Sequence, residues 1–302
     1  MTKRVSLAFA LTLAVFELAF AQVLVQTIDE FGTVDWQRMV VRASGIGVIQ
    51  STAPSRVERV ESLETAKETA AEHLLRAVES LRFDHSARVK DVVLRNVQAR
   101  ARLKSIVETY TVIDTRSMSD MSLEVEIELP ITGDLIDLLL PQNCGKGQLR
   151  LSDESLCPTC GQPWPEGKPV PPNVKLINLA EGITSPEGTP YTGLIVDARG
   201  LGLKAAIVPK ILDEEGHEIY GTDYFARESA IESGAVLYKR HLKSAINDPR
   251  TGREPMIVRG RTVAGALKTD VVISNSDAAL IHSAAHTDNF LKKCKVIIVI
   301  GS

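Results

Sequence analysis

A short stretch of strictly alternating polarity places the strongest constraint on the fold. Four apolar residues and three glutamates alternate there: Leu123, Glu124, Val125, Glu126, Ile127, Glu128 and Leu129. Successive side chains of a β-strand point to opposite faces, so this strand has one buried face and one wet, acidic face. We therefore predict a sheet that other elements cover on a single face.

A stripe of apolar residues predicts the helix that covers this face. Its members recur every three or four positions, as one side of a helix requires: Leu63, Ala66, Ala70, Leu74, Ala77 and Leu81. Ser62 stands where an N-cap is expected, with Glu64 in the first turn. The alanines in this stripe let the helix lie close to the sheet that supports it.

Neighbouring segments complete an α+β unit. The β-branched stretch 34–50 predicts a strand, 51–62 a loop, and the more basic stretch 91–108 a second helix. Two strands follow, and the second of them is the alternating stretch. We predict helices packed on one face of an antiparallel sheet.

The pattern restarts at about residue 174 and predicts a second, mixed α/β domain. The predicted strands are 191–200, 205–213, 217–221, 255–263, 269–274 and 294–301, and the predicted helices are 223–234 and 276–293. A tight turn at 213–216 joins two of the strands. The last strand is apolar throughout, which suits burial on both faces.

The N-terminus has the features of an export signal. Lys3 and Arg4 precede a short apolar run, and Ala19-Phe20-Ala21 supplies the small residues that signal peptidase recognises. The apolar run is short for a bilayer span of roughly 20 residues, and Glu17 would be costly inside a membrane. We expect a cleaved signal and an exported or periplasmic protein that keeps no transmembrane segment. Association with the outer membrane is compatible with this prediction.

These features divide the chain into four parts. They are the signal 1–21, the α+β domain 22–141, a Cys- and Pro-rich linker 142–173 and the α/β domain 174–302. Apolar residues make up 44% of the sequence and charged residues 24%, which is enough to build a core. The formal net charge of −3 gives no reason to expect nucleic acid as a partner.

The linker carries the strongest candidate for a metal site. Cys157 and Cys160 form the motif C-P-T-C-G, whose spacing allows two thiolates to bind one zinc ion, and Cys144 supplies a third thiolate. We predict a structural Zn²⁺ at these three residues, with water, Asp153, a distant histidine or nothing as the fourth ligand. Export favours a disulfide among the three cysteines instead, and an unligated loop is the third alternative.

Other candidate residues point to structural roles. Cys294 begins the last apolar strand and is expected to be a buried thiol, with a disulfide to Cys144 as the alternative. His282 and His286 lie four apart on a predicted helix, which suggests an exposed or interface pair. Asp197 precedes Gly200 and Gly202, but the sequence has no phosphate-binding P-loop motif. No catalytic residue is predicted, and the protein is not expected to be an enzyme.

The first domain resembles a known family in two places. The strand Val41–Gly47 within "VVRASGIGVIQ" and the helix from Leu63 to Leu81 are similar to the outer-membrane lipoprotein domain that also forms the N-terminal part of flagellar assembly protein T. The similarity spans 22–130. The second half resembles an uncharacterised region of exported bacterial proteins. This chain lacks the lipid-bearing cysteine of the lipoprotein members.

The resemblance implies a non-catalytic structural or assembly protein of the envelope or flagellum. Such a protein would bind other envelope or flagellar proteins and form a homo-oligomer. Two alternatives from other classes remain. One is a metal- or thiol-dependent enzyme or sensor built on the C-P-T-C loop, and the other is a periplasmic protein that binds a small ligand between the two domains.

Overall fold

A computed structural model describes residues 24–301, apart from 29, 31, 50, 52–54, 152, 158–161 and 181. The predicted export signal therefore lies outside the described residues. Within the described part of the chain, the helices are too short or too polar to cross a membrane.

The first half is built on one antiparallel sheet, as predicted. Its strands are β1 (Val25–Ile28), β2 (Gly32–Asp35), β3 (Val40–Gly47), β4 (Thr111–Ser117) and β5 (Leu123–Pro130), in the spatial order β1-β2-β3-β5-β4. The alternating stretch is β5, and its residues Val125, Ile127 and Leu129 are buried. The glutamates of β5 point to the wet face, where Glu128 pairs with Arg42 at 2.7 Å.

A turn interrupts the single strand that was predicted over 34–50. The carboxylate of Asp35 accepts hydrogen bonds from the N–H groups of Gln37 (2.9 Å) and Arg38 (3.1 Å), and Met39 has a φ of 54°. An Asp that bonds its own backbone in this way reverses the chain. As a result β2 and β3 pair with each other as a hairpin.

Helix α1 (Arg56–Ser80) covers the sheet but begins earlier than predicted. Its N-cap is Ser55, which accepts from the N–H of Glu58 while the Glu58 carboxylate accepts from the N–H of Ser55. This reciprocal pair is a capping box. Ser62, the predicted cap, lies inside the helix, and its hydroxyl donates to the carbonyl of Gly47 at 2.8 Å.

Two glycines of β3 let α1 approach the sheet closely. A Cβ atom at Gly45 would lie 2.9 Å from Cα of Ala70, and one at Gly47 would lie 2.8 Å from Oγ of Ser62. Both distances are shorter than van der Waals contact. Four members of the predicted stripe are fully buried within α1, namely Ala66, Ala70, Leu74 and Ala77, and Leu63 is half-buried.

The predicted helix over 91–108 is two helices. They are α2 (Val89–Val93) and α3 (Val97–Val107), and α4 (Asp134–Leu139) follows β5. The chain breaks at Asn96, whose side chain caps α3 by accepting from the N–H of Gln98 at 2.9 Å. All three helices pack on the α1 side of the sheet, so the first half has one covered and one wet face.

The second half combines several small sheets with helices between them. Its strands are β6 (Ser155–Leu156), β7 (Ile177–Asn178), β8 (Gly193–Asp197), β9 (Ile211–Leu212), β10 (Glu218–Tyr220), β11 (Leu237–Lys239), β12 (Pro255–Arg259), β13 (Thr262–Ala264), β14 (Asp270–Val272) and β15 (Val296–Val299). Its helices are α5 (Arg227–Ser233), α6 (Leu242–Ile246) and α7 (Asn275–Thr287). The mixed α/β character that was predicted is confirmed.

A four-stranded parallel sheet forms the centre of this half. Its order is β11-β15-β8-β12, while β10-β9-β14-β13 forms a second sheet of mixed direction. All four residues of β15 are buried, as the apolar run predicted. One face of the parallel sheet packs against Leu242 and Ala245 of α6, and the other joins the main core.

One continuous cluster of buried apolar residues runs through both halves. The rings of Trp36 and Tyr238 meet edge to face across the junction, with centroids 5.7 Å apart. The segment at 205–210, predicted as strand, is instead irregular. The N–H of Ile207 in this segment donates to the carbonyl of Arg82 at 3.0 Å. The two halves are thus joined by packing and by backbone hydrogen bonds.

Replacing Gly47 with alanine tests the close contact between β3 and α1. The new methyl group would overlap Ser62 and push α1 away from the sheet, so we expect the free energy of unfolding to fall by about 1–3 kcal/mol. Urea denaturation followed by circular dichroism measures this. Ile46→Ala, on the exposed face of the same strand, is the control and should change stability little. Equal effects of the two substitutions would contradict the close packing.

Candidate functional site

Backbone hydrogen bonds on both sides of the C-P-T-C motif fix the position of Cys157, its first residue. The N–H of Cys157 donates to the carbonyl of Gln162 at 2.9 Å, and the N–H of Trp164 donates to Ser155 at 2.7 Å. Cys160 lies outside the described residues. Cys157 follows directly after the short strand β6, which pairs with β7.

Cys144 is held by a different part of the fold. Its thiol donates to the carbonyl of Pro141 at 3.2 Å, and the neighbouring N–H of Gly145 donates to Thr222 at 2.9 Å. Burial raises the pKa of this thiol, and Arg227 nearby acts in the opposite direction. Among the described side chains, Cys144, Cys157 and Asp153 do not form a group that could share one ion. A zinc site that includes Cys160 stays a prediction.

Cys294 is a buried thiol, as expected. Burial raises its pKa to about 11, which makes it a poor nucleophile and metal ligand at neutral pH. Its carbonyl accepts from Nε of Arg250 at 2.8 Å, and the same guanidinium donates to Ser233 at 2.6 Å and to Gly234. Arg250 thus links three turns of the second half.

The histidine pair is divided between the core and the surface. His282 is buried, accepting from the N–H of Arg150 through Nδ1 at 2.9 Å. Because Nδ1 accepts, the proton is on Nε2, which donates to the carbonyl of Ile219 at 3.0 Å. The expectation of an exposed or interface pair is wrong for His282, which lies in the core with both ring nitrogens hydrogen-bonded. His286 is exposed.

Two further groups of charged residues, one at Asp197 and one at Asp213, are engaged in local structural contacts. Arg199 forms a double ion pair with Asp197 at 2.7 and 2.6 Å, which lowers the pKa of that carboxyl at the end of β8. Asp213, Glu215 and His217 lie close enough to hold a cation, but Asp213 already accepts from the N–H groups of both other residues in the β9–β10 turn. The sequence analysis did not single out this group. Its only signal in the sequence is that the three residues stand at every second position within a predicted tight turn.

The outer strand β4 is exposed along its whole length. It is an edge of the first sheet, and all seven of its residues are exposed. Val112 is 41% exposed and Ile113 is 40% exposed, because α1 packs over β3 and β5. Met118 and Met121 continue this apolar surface into the turn before β5. We call Thr111–Ser117 with these two methionines the β4 edge.

Charged residues limit what the β4 edge can pair with. Arg116 contacts the carboxylates of Asp114 at 2.6 Å and Glu126 at 3.3 Å. The pairing of β4 with β5 is irregular between Val112 and Asp114, which marks a bulge. Bulges and charges on an edge strand prevent indiscriminate strand pairing. The β4 edge is therefore open to a partner of matching charge.

A groove lies between α1 and α3 on the same side of the sheet as Val112. Its volume is about 460 Å³, and Ala71, Leu75 and Val107 supply its apolar lining. Charged residues of both helices surround it: Glu64, Lys67, Glu68, Glu72, Lys104 and Glu108. Tyr110, directly before β4, connects the groove with the β4 edge.

Comparison with known proteins bears on the second half alone. Residues 193–302 match a family model described as Treponema pallidum Tp0624, second domain, so the region from β8 to β15, which contains the parallel sheet, is similar to that domain. A search of curated proteins gives no significant match. The resemblance of the first half to the lipoprotein family has no support from these comparisons and stays a prediction.

The burial of neutral His282 predicts a dependence of stability on pH. Burial lowers its pKa below the ordinary value of 6.5, so the unfolded chain binds this proton more readily than the folded chain does. The contribution of neutral His282 to the stability of the folded state is fully present above pH 6.5. It is lost as the pH falls toward the lower pKa of His282 in the folded state. Thermal melts between pH 8 and pH 5 measure this loss.

The variant His282→Ala should lose about 1–3 kcal/mol at neutral pH, since the N–H of Arg150 and the carbonyl of Ile219 lose their partner. Its stability should also vary less with pH over the same interval. His286→Ala, on the exposed side of the same helix, is the control and should behave as the wild-type protein does. A pH profile unchanged by His282→Ala would contradict the assignment.

Proposed function

We propose that this protein is an exported, non-catalytic assembly factor of the cell envelope, whose first partner is a second copy of itself. The single observation that carries the proposal is the β4 edge. An exposed edge strand with apolar side chains is a template for adding another strand. The contact joins two first halves and leaves the second halves free to meet other envelope or flagellar proteins.

The charges of β4 match those of a second β4 in a symmetric antiparallel pair. When Thr115 of one copy lies opposite Thr115 of the other, Asp114 of each copy faces Arg116 of its partner. Opposite charges at facing positions stabilise strand pairs, and like charges destabilise them. A two-fold axis repeats the favourable pair, which makes this register self-complementary.

The same register brings apolar side chains together at both ends of the pair. Ile113 of one copy comes close to Ser117 and Met118 of the other, so exposed apolar surface on each chain is covered. The groove beside α1 continues this surface. A few hundred Å² of apolar area is the usual size of a functional patch on a monomer.

Sequence features support the proposed location and class of function. The export signal favours the periplasm or the outer-membrane surface, and the strand and helix at 41–81 resemble envelope lipoproteins and a flagellar assembly protein. The proposal of a non-catalytic role is supported by Asp197, Asp213 and His282, whose polar atoms are engaged in turns and core contacts.

Within this proposal the C-P-T-C motif binds a structural Zn²⁺, and we call this site the zinc clip. We expect native mass spectrometry of the mature protein, purified without chelator, to show one Zn²⁺ per chain. Cys157→Ser and Cys160→Ser should each abolish metal binding, while Cys294→Ser, in the core, should keep it. Metal-free protein whose mass shows oxidised cysteines would contradict the zinc clip and favour the disulfide.

Charge reversal tests the paired strands directly. We expect the wild-type protein to form dimers and the variants Asp114→Arg and Arg116→Asp each to raise the dimer dissociation constant at least about tenfold, because two like-charge pairs replace two opposite ones. Sedimentation equilibrium measures the constant. Surface ion pairs contribute little to folding, so circular dichroism melts of the variants should match the wild type.

The double variant Asp114→Arg with Arg116→Asp is the matched control. It exchanges the two charges and restores opposite pairs, so its dimer should form with nearly wild-type affinity. An equal mixture of the two single variants should also form mixed dimers. A wild-type monomer at tens of micromolar, or a double variant as weak as the single ones, would contradict the proposal.

A further inference from the structure

A cleft lies where the first strand meets the end of the parallel sheet. Its volume is about 330 Å³, and it is lined by Gln26 and Trp36 from the first half and by Lys204, Arg240 and Ile300 from the second. Arg82 reaches it from the segment after α1. Arg240 and Ile300 follow β11 and β15 directly, so the cleft opens at the carboxyl ends of two neighbouring parallel strands. We call this site the basic cleft.

The basic cleft holds three cationic side chains and lacks a counter-ion among the described residues. No aspartate or glutamate within the described chain lines it, and none lies within ion-pair distance of Arg82, Lys204 or Arg240. A smaller cavity of about 170 Å³, which shares Gln26, Trp36 and Arg82 with the cleft, is also lined by Arg88 and again has no acidic lining. The sequence as a whole has more acidic than basic residues, 38 against 35, so the lack of acidic side chains is a local property of the cleft.

Arg82 is held in place by neutral contacts alone. Its guanidinium donates to the amide oxygen of Gln26 at 3.1 Å, and the same oxygen accepts from Nε1 of Trp36 at 3.4 Å. Burial and then the charge of Arg88 lower the pKa of Arg82, which shows that its surroundings disfavour the positive charge. A half-buried cation without an acidic partner costs folding free energy.

An anionic ligand would remove this cost. Arginine forks bind phosphate and carboxylate groups in the same bidentate way, and a lysine beside them adds a point charge. Ligands of open α/β sheets bind outside the carboxyl ends of the strands, where the basic cleft lies. Trp36 and Ile300 give the cleft an apolar wall, as small-molecule sites require beside their few polar groups.

We propose that the basic cleft binds a small molecule carrying a phosphate or carboxylate group, with Arg82, Lys204 and Arg240 as its anion contacts. The volume is at the lower end of the range for ligand pockets, which restricts the ligand to a small metabolite or a headgroup. Because Arg82 belongs to the first half and the other two cations to the second, a bound ligand links the two halves. This activity is independent of the β4 edge.

Titration calorimetry with three probes tests the proposal: pyrophosphate, citrate and glycerol 3-phosphate, each against sodium chloride of equal ionic strength. We expect at least one probe to bind, and Arg82→Gln and Arg240→Gln each to weaken it about 10-fold or more, as the loss of a charged hydrogen bond does. Arg199→Gln is the matched control, because Arg199 lies at the same edge of the sheet but pairs with Asp197. It should leave binding unchanged.

Melting temperatures without ligand separate a binding role from a structural one. Arg82→Gln removes a charge that has no acidic partner, so the variant should melt at or above the wild-type temperature. Probe binding should raise the melting temperature of the wild type more than that of Arg82→Gln. Loss of stability in Arg82→Gln together with unchanged probe affinity would overturn the proposal, and so would the failure of all three probes to bind more tightly than chloride.

Vesicles of phosphatidylglycerol identify the source of the anion. Sedimentation of the protein with these vesicles, lost in Arg82→Gln and in competition with glycerol 3-phosphate, would assign the cleft to a lipid headgroup. Binding of the soluble probes without sedimentation would assign it to a free metabolite. Either result supports an oxyanion site.

Discussion

The contact between the glycines of β3 and the backbone of α1 determines where the helical layer lies on the sheet of the first half. Gly45 and Gly47 leave no room for side chains, so α1 lies directly on β3, and the hydroxyl of Ser62 bonds the strand at its end. This position fixes α1 over β3 and β5. The neighbouring strand β4 lies beyond its reach, which is why the inner side chains of β4 are exposed. The proposed interaction surface is thus a consequence of the close packing one strand away.

The segment that leaves α1 connects this layer to the second half. The carbonyls of Arg82, Phe83 and His85 accept from N–H groups of the second half at 2.8–3.0 Å. Gly265 has a φ of 82°, and an added Cβ would overlap Cβ of His85, so the two segments lie in close contact there. The backbone of this segment joins the halves, and its Arg82 side chain enters the basic cleft. The contact between the two halves and the proposed binding site therefore both depend on the segment 82–85.

Local patterns predict the elements that are buried on one side or on both. The alternation of β5, the stripe of α1 and the apolar run of β15 were sufficient, because periodicity records which face meets the core. Ser55 and Ser62 both suit an N-cap, and the contact of Ser62 with Gly47 that distinguishes them is tertiary. The apolar stretch at 205–210 was predicted as strand, but its N–H groups bond a segment over a hundred residues away.

The candidate sites are less visible in the sequence. The spacing of Cys157 and Cys160 is a local motif, whereas the hydrogen bond that ties Gly145, next to Cys144, to Thr222 before α5 follows from the fold alone. Arg82, Lys204 and Arg240 resemble ordinary surface cations until the fold brings them into one cleft. The sequence does not predict the exposure of β4 either, since it suits a strand paired on both sides as well as a strand at an open edge.

We propose that two copies of the protein meet through β4. Amide hydrogen exchange of the mature protein, followed by mass spectrometry at protein concentrations below and above the dimer dissociation constant, tests it most directly. We expect the amides of Thr111–Ser117 to exchange more slowly at the high concentration, while those of the opposite edge β1 exchange at the same rate at both concentrations. Unchanged exchange in β4 at both concentrations, or protection of β1 instead, would contradict it.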